Sequence, residues 1–246
     1  MELQLYYTML LLGAGVNTMI AVALIYNNFW YRNYDVYYRA RLLTAVNYII
    51  FAIGFTGHAY LQWRISWPAA ASALTLSYFH SGGVLFGWSH TSLMRPDYLT
   101  RRIVIRDLSI LAVGIAVYWT VLADWTFLIF FLHASFITYT FYRTYFTVRS
   151  SIFRLPLGNK DKEWWTPQVK RTVLASHHSF VIACHLIVLF GLGSIALTAA
   201  FPHDIWPYTV LMVAGIVVFC FIFYSLTEYG NVIEAGTCAT EDAVSS

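Results

Sequence analysis

The sequence predicts an all-α integral membrane bundle of seven transmembrane helices, amino terminus outside and carboxyl terminus inside. Three observations carry that expectation. The chain is 59% hydrophobic and only 11% charged, where an ordinary globular domain is about one quarter charged. Apolar stretches long enough to cross a hydrocarbon core of about 30 Å, which takes roughly 20 helical residues, occur seven times. All but one of the 15 basic residues then fall on the same side of the map, which is the positive-inside pattern. The same composition excludes a disordered chain, a disulfide-stapled secreted module and a nucleic-acid-binding domain, each of which needs more charge or more cysteine.

The spans read as 4 to 29, 41 to 63, 68 to 93, 103 to 122, 125 to 148, 172 to 201 and 205 to 228. Barrel strands of about ten residues with lumen-facing alternation would not explain runs of this length. The first span begins after the acidic Glu2 and lacks a basic n-region, so it reads as an inserted helix and not as a cleaved signal peptide. Trp67-Pro68 and Trp206-Pro207 place proline in the first turn of the third and seventh helices, where a missing N–H costs nothing. Asp124 is the expected N-cap of the fifth helix, and Thr166-Pro167 the start of the sixth. The outer connections at Ile65 to Trp67 and Ala123 to Asp124 are so short that their flanking helices must be antiparallel neighbours.

Arg64 is the one basic residue outside; the others lie in the segments 30 to 41, 94 to 106 and 149 to 171, with Arg143 near the inner end of the fifth helix. Tryptophans mark both interfaces, with Trp63, Trp67, Trp119, Trp125 and Trp206 outside and Trp30, Trp88, Trp164 and Trp165 inside. Residues 1 to 228 form the expected transmembrane domain, and 229 to 246, small and mildly acidic, a disordered cytoplasmic tail. The expected location is a bacterial inner membrane, with lipid as the constant partner and no nucleic acid.

Ionisable groups at membrane depth face the bundle interior for a reason, and in the span interiors those groups are histidines. At 1.5 Å per residue, His58, His80 and His133 lie roughly 10, 18 and 13 Å below the outer ends of their helices, one common layer. His185 lies deeper in the sixth helix. Imidazoles converging at one depth would suit a small-ligand or proton site, or bind haem or a transition metal; alternatively each bonds a carbonyl or hydroxyl of a neighbouring helix. The ligand-site candidates are His58, His80 and His133 with Tyr78 and Tyr139, and the metal candidates His58, His80, His133 and His185. No HExxH motif supports the metal reading. An inner group of Ser89, His90, His177 and His178 near Arg95, Arg101, Arg102 and Arg106 offers either a cytoplasmic pH or anion sensor or simple headgroup contact.

Certain absences narrow the function. The lysines Lys160, Lys162 and Lys170 all sit in the long inner loop, so no span offers an amine for a retinal Schiff base. Asp107, Asp124, Asp204 and Glu228 lie near span ends, which disfavours a proton pump or cation-coupled transporter. Walker A, dinucleotide and nucleophile-elbow motifs are absent. Cys184, Cys220 and Cys238 make no metal or disulfide spacing.

In architecture, residues 1 to 228 resemble the seven-helix membrane sensor modules of bacterial signalling proteins, which precede a kinase, a cyclase or a DNA-binding regulator. The resemblance implies a receptor-like role in which a small ligand or a proton bound between helices shifts their packing. The pattern departs after the seventh helix, where only the short tail follows, so the implied output domain is either a separate cytoplasmic signalling protein or part of a longer chain. The alternative is a haem- or metal-binding membrane oxidoreductase subunit using the same histidines.

Overall fold

The computed structural model describes residues 2–152, 166–201 and 204–235. All regular structure among them is helical: α1 (Glu2–Asn27), α2 (Asp35–Leu61), a single turn α3 (Trp63–Ser66), α4 (Pro68–Met94), α5 (Arg101–Val121), α6 (Phe127–Ile152), α7 (Pro167–Ala200) and α8 (Trp206–Glu228), with 3₁₀ turns at Asn28–Tyr31 and Asp124–Thr126. Six of these helices, α1, α2, α5, α6, α7 and α8, are long and apolar enough to cross a membrane, the pattern of a multi-pass membrane protein.

The seventh long helix is the exception, and its neighbours explain why. α4 has 27 residues and no Asp, Glu, Lys or Arg, but its serines, threonines, histidines and glycines keep it from being as apolar as the rest. It packs against α2, α5, α6 and α7, whereas α2, α1, α8 and α7 follow one another around the bundle. From Trp88 to Met94 every residue of α4 is buried, on all sides of the helix. A helix wrapped by protein need not be greasy, and its hydroxyls and imidazoles find partners on its neighbours.

Helix starts follow local chemistry. Thr166 Oγ1 accepts the Val169 N–H at 3.3 Å as the start of α7 predicts, and Thr100 Oγ1 does the same for Ile103 at 3.4 Å in α5. The expected Asp124 cap is not made: Asp124 opens a 3₁₀ turn with Ala123 before it, and no side-chain cap bond forms there. The tail boundary at residue 228 also moves. Helix continues to Ala235, and Tyr229, Val232 and Ala235 are buried in the core, because these apolar residues carry on the buried face of α8. Residues 236–246 and most of the inner loop lie outside the described residues.

Close approach and buried hydroxyls hold the helices together. Gly13 lies under Phe55, and Gly82 under Phe51. Phe51 stacks on Phe219 with centroids 4.9 Å apart, joining α2 to α8. Tyr37 and Tyr48 donate to the Leu226 and Phe219 carbonyls at 2.7 and 2.8 Å, so both lock α2 to α8. Arg41 lies inside α2, 1% exposed, and donates to the Tyr37 hydroxyl at 3.1 Å beside the Tyr31 ring.

Candidate ligand cleft and buried side-chain line

α5 is the most lipid-exposed long helix, and the three residues it buries are Asp107, Gly114 and Tyr118. Spacings of seven and four put them on one stripe of a 3.6-residue helix, the stripe turned toward α4 and α6. On α6 the buried residues Phe130, His133, Ile137 and Phe141 repeat at three and four and face α4. Between these stripes lies His80 of α4, fully buried.

The side chains meet in a line. Tyr118 Oη is 2.9 Å from His80 Nδ1, and His80 Nε2 is 2.7 Å from His133 Nδ1. His133 Nε2 then faces Asp107 Oδ1 at 3.6 Å. Asp107, with 0% exposure, accepts from Trp88 Nε1 at 2.8 Å and from Arg106 Nε at 2.7 Å. With a proton on His133 Nε2, the nitrogen that faces the carboxylate at 3.6 Å, Nδ1 presents its lone pair. His80 must then donate from Nε2 and accept at Nδ1, which leaves Tyr118 as donor. Buried chains of this kind polarise along their length. The 3.6 Å approach is the loose joint, too long for a good hydrogen bond, and His133 Nε2 has no nearer partner.

Gly114 makes the first joint possible. A Cβ there would stand 3.1 Å from His80 Nδ1 and Cε1 and 3.3 Å from the Tyr118 hydroxyl. Gly114→Ala is expected to push His80 off Tyr118 at a cost of about 1–2 kcal/mol, seen as a lower melting temperature. The lost contact should appear as a changed His80 ring resonance; an unchanged His80 signal would contradict this geometry.

At its Tyr118 end the line opens on a cleft. Tyr118 lines a cavity of 130 Å³ together with Arg64, Ser72, Thr75, Asp124 and Tyr208. Leu122, in the left-handed region at φ 50°, closes α5 beside it, a conformation that costs a non-glycine residue about 1–2 kcal/mol. Arg64 is 6% exposed; it donates to Thr75 Oγ1 at 3.1 Å and Ser72 Oγ at 3.3 Å, and its guanidinium lies 3.8 Å from the Tyr208 ring centre. A second cavity of 80 Å³, almost wholly apolar, lies among Phe79, Gly83, Phe130, Ala134 and Phe190 with His90 on its wall.

The sequence-predicted residues therefore separate. His80 and His133 are brought together. His58 is buried on the other side of α4, where its Nε2 lies 2.9 Å from Thr75 Oγ1 and its ring meets Tyr78. Tyr78 belongs to the aromatic core with Phe51 and Phe55, and Tyr139 is 62% exposed on the outer surface of α6. His185 bonds its own helix through Val181 O at 2.7 Å and packs near Tyr142. No group of three or more His, Cys, Asp or Glu able to hold a metal occurs among the described residues.

Within the inner group, Ser89, His90 and Arg95 each have their own partners. Ser89 bonds Thr44 and Ala40, His90 stacks on Phe180, and Arg95 pairs with Asp97 in an exposed loop. Hydrogen bonding to Arg95 holds the Asp97 carboxyl below its ordinary pKa. Asp107, Tyr118 and Arg64 are the members that sequence reasoning missed. The buried stripe of α5 was the available signal for the first two.

No protein-family model, curated protein or solved structure matches this chain.

Proposed function

We propose that the protein is a receptor-like sensor of a bacterial inner membrane, with seven spans including α4, the amino terminus outside and the carboxyl terminus inside. A small ligand or proton enters the cleft at Tyr118, and its arrival is passed along His80 and His133 to Asp107 and Arg106. From there a separate cytoplasmic signalling partner reads the change. The observation that carries this reading is the succession of side chains from the cleft to the half-buried Asp107–Arg106 ion pair toward the opposite end of α5. A ligand can act through such a line only if it binds two arrangements unequally. In this reading the two are an open His133–Asp107 joint, at 3.6 Å, and one closed to a hydrogen bond.

The line can be tested without knowing the ligand. Trp88 reports its inner end through the bond to Asp107, and 5-fluorotryptophan labelling gives that ring a fluorine resonance assignable with Trp88→Phe. Tyr118→Phe removes only the hydroxyl at the outer end. The expected result is a shifted or broadened Trp88 resonance, while Tyr139→Phe on the exposed face leaves it in place. Equal silence of both variants would refute the coupling.

A further inference from the structure

Arg64 is a charged group in a place that does not neutralise it. It is 6% exposed, its polar contacts are hydroxyls and a tyrosine ring, and it makes no ion pair among the described residues. Its Nε is buried with no acceptor. Burying a guanidinium without a carboxylate is costly, and the five N–H donors of arginine match an anion with two oxygens. Arg41 is equally buried but is enclosed by the rings of Tyr31 and Tyr37; Arg64 borders the cleft.

The same cleft carries a negative group. Asp124 is exposed at its edge, where a simple anion held by Arg64 would meet like charge. A ligand bearing both signs would satisfy the two ends together. Ser72, Thr75, Tyr118 and Tyr208 line the same cleft, whose 130 Å³ suits a small molecule.

We propose that the outer cleft binds a small zwitterion of the amino-acid class, its carboxylate on the Arg64 guanidinium and its ammonium toward Asp124. This deepens the sensor reading and rests on the cleft being its input. The ligand would lie against Tyr118, the first member of the buried line.

The test uses the full chain in lipid nanodiscs. Each standard amino acid is titrated by equilibrium binding, beside the carboxylic acid that lacks its amine and the amine that lacks its carboxylate. At least one amino acid is expected to bind more tightly than both truncated forms: at least about tenfold over the amine, which leaves the buried Arg64 charge unmatched, and by a smaller factor over the acid, because Asp124 is exposed. Arg64→Gln should abolish that binding. Should Arg64→Gln fail to fold, Asp124→Asn at the exposed edge decides: it should weaken the amino acid and leave the amine-free acid no weaker. Saturable binding of the truncated acids as tight as the parent would make this a plain anion site and overturn the proposal, as would no binding by any probe. The two readings fail separately. If an amino acid binds and the Trp88 resonance stays put, the zwitterion site stands and the sensor line falls. If Tyr118→Phe moves Trp88 and no amino acid binds, the reverse holds.

Discussion

Replacing Asp107 with alanine is expected to lower stability by about 2–4 kcal/mol, seen as a fall in the melting temperature of the purified protein. The cost comes chiefly from Trp88, whose indole N–H is buried and bonded to Asp107 at 2.8 Å, and would be left without an acceptor. Arg106 contributes less, since its side chain is 38% exposed and water can replace its partner. His133 loses the carboxylate that it faces at 3.6 Å. Asp107→Asn separates these effects: an amide oxygen still receives the Trp88 N–H, so it should cost roughly half as much. A loss below about 1 kcal/mol for the alanine variant, or asparagine more damaging than alanine, would mean that Asp107 is not the anchor of the line.

A loss of comparable size, from pure packing, is expected at Gly54. A Cβ there would stand 2.4 Å from Tyr78 Cδ1 and 2.9 Å from Cγ. These atoms sit close to the α4 backbone, and the ring is held by Phe55 and Phe79 with centroids 5.5 and 4.9 Å away, so it cannot swing clear. Gly54→Ala should therefore part α2 from α4 and cost about 2–3 kcal/mol, and Gly54→Val more. Gly57, one turn away on the same helix, is the control: a Cβ there meets only Leu74 at an ordinary 3.5 Å, and Gly57→Ala should be near neutral in the same melting experiment. Similar losses at both positions would contradict a cost set by the Gly54–Tyr78 approach, because helix propensity by itself favours alanine over glycine.

Much of the fold was legible because length and apolarity determine it. Each stretch named from the sequence is a helix with ends near those expected, and the prolines and Thr166 act as read. The central, less apolar character of α4 was harder to see, since a continuous count of span-length runs does not say which helix the others surround. The site was half legible for a geometric reason. Depth below the outer face gives height along a helix and says nothing of direction around it. Tyr78 and His80 are two residues, about 200°, apart on α4, so one faces α2 and the other α5 and α6. Likewise Tyr139, about 120° around α6 from His133, meets the outside. Asp107 was discounted because it lies only six residues from the start of α5, roughly 9 Å in, yet its side chain turns inward and meets His133. The sequence places Arg64 only on the outer side, and nothing in it shows that α3 is a helical turn folding that side chain back over α4.

The character of α4 also bears on how such a chain is made. A segment leaving the ribosome partitions into lipid according to its own apolarity, and α4 is the one least fitted to do so alone. Its hydroxyls and imidazoles find shelter only beside α2, already synthesised, and then α5 and α6, which follow. In the seven-span reading, insertion of the middle helix is thus a pairing event during biogenesis, and weakening the Thr44–Ser89 contact at 2.8 Å should strand nascent chains before it harms finished ones.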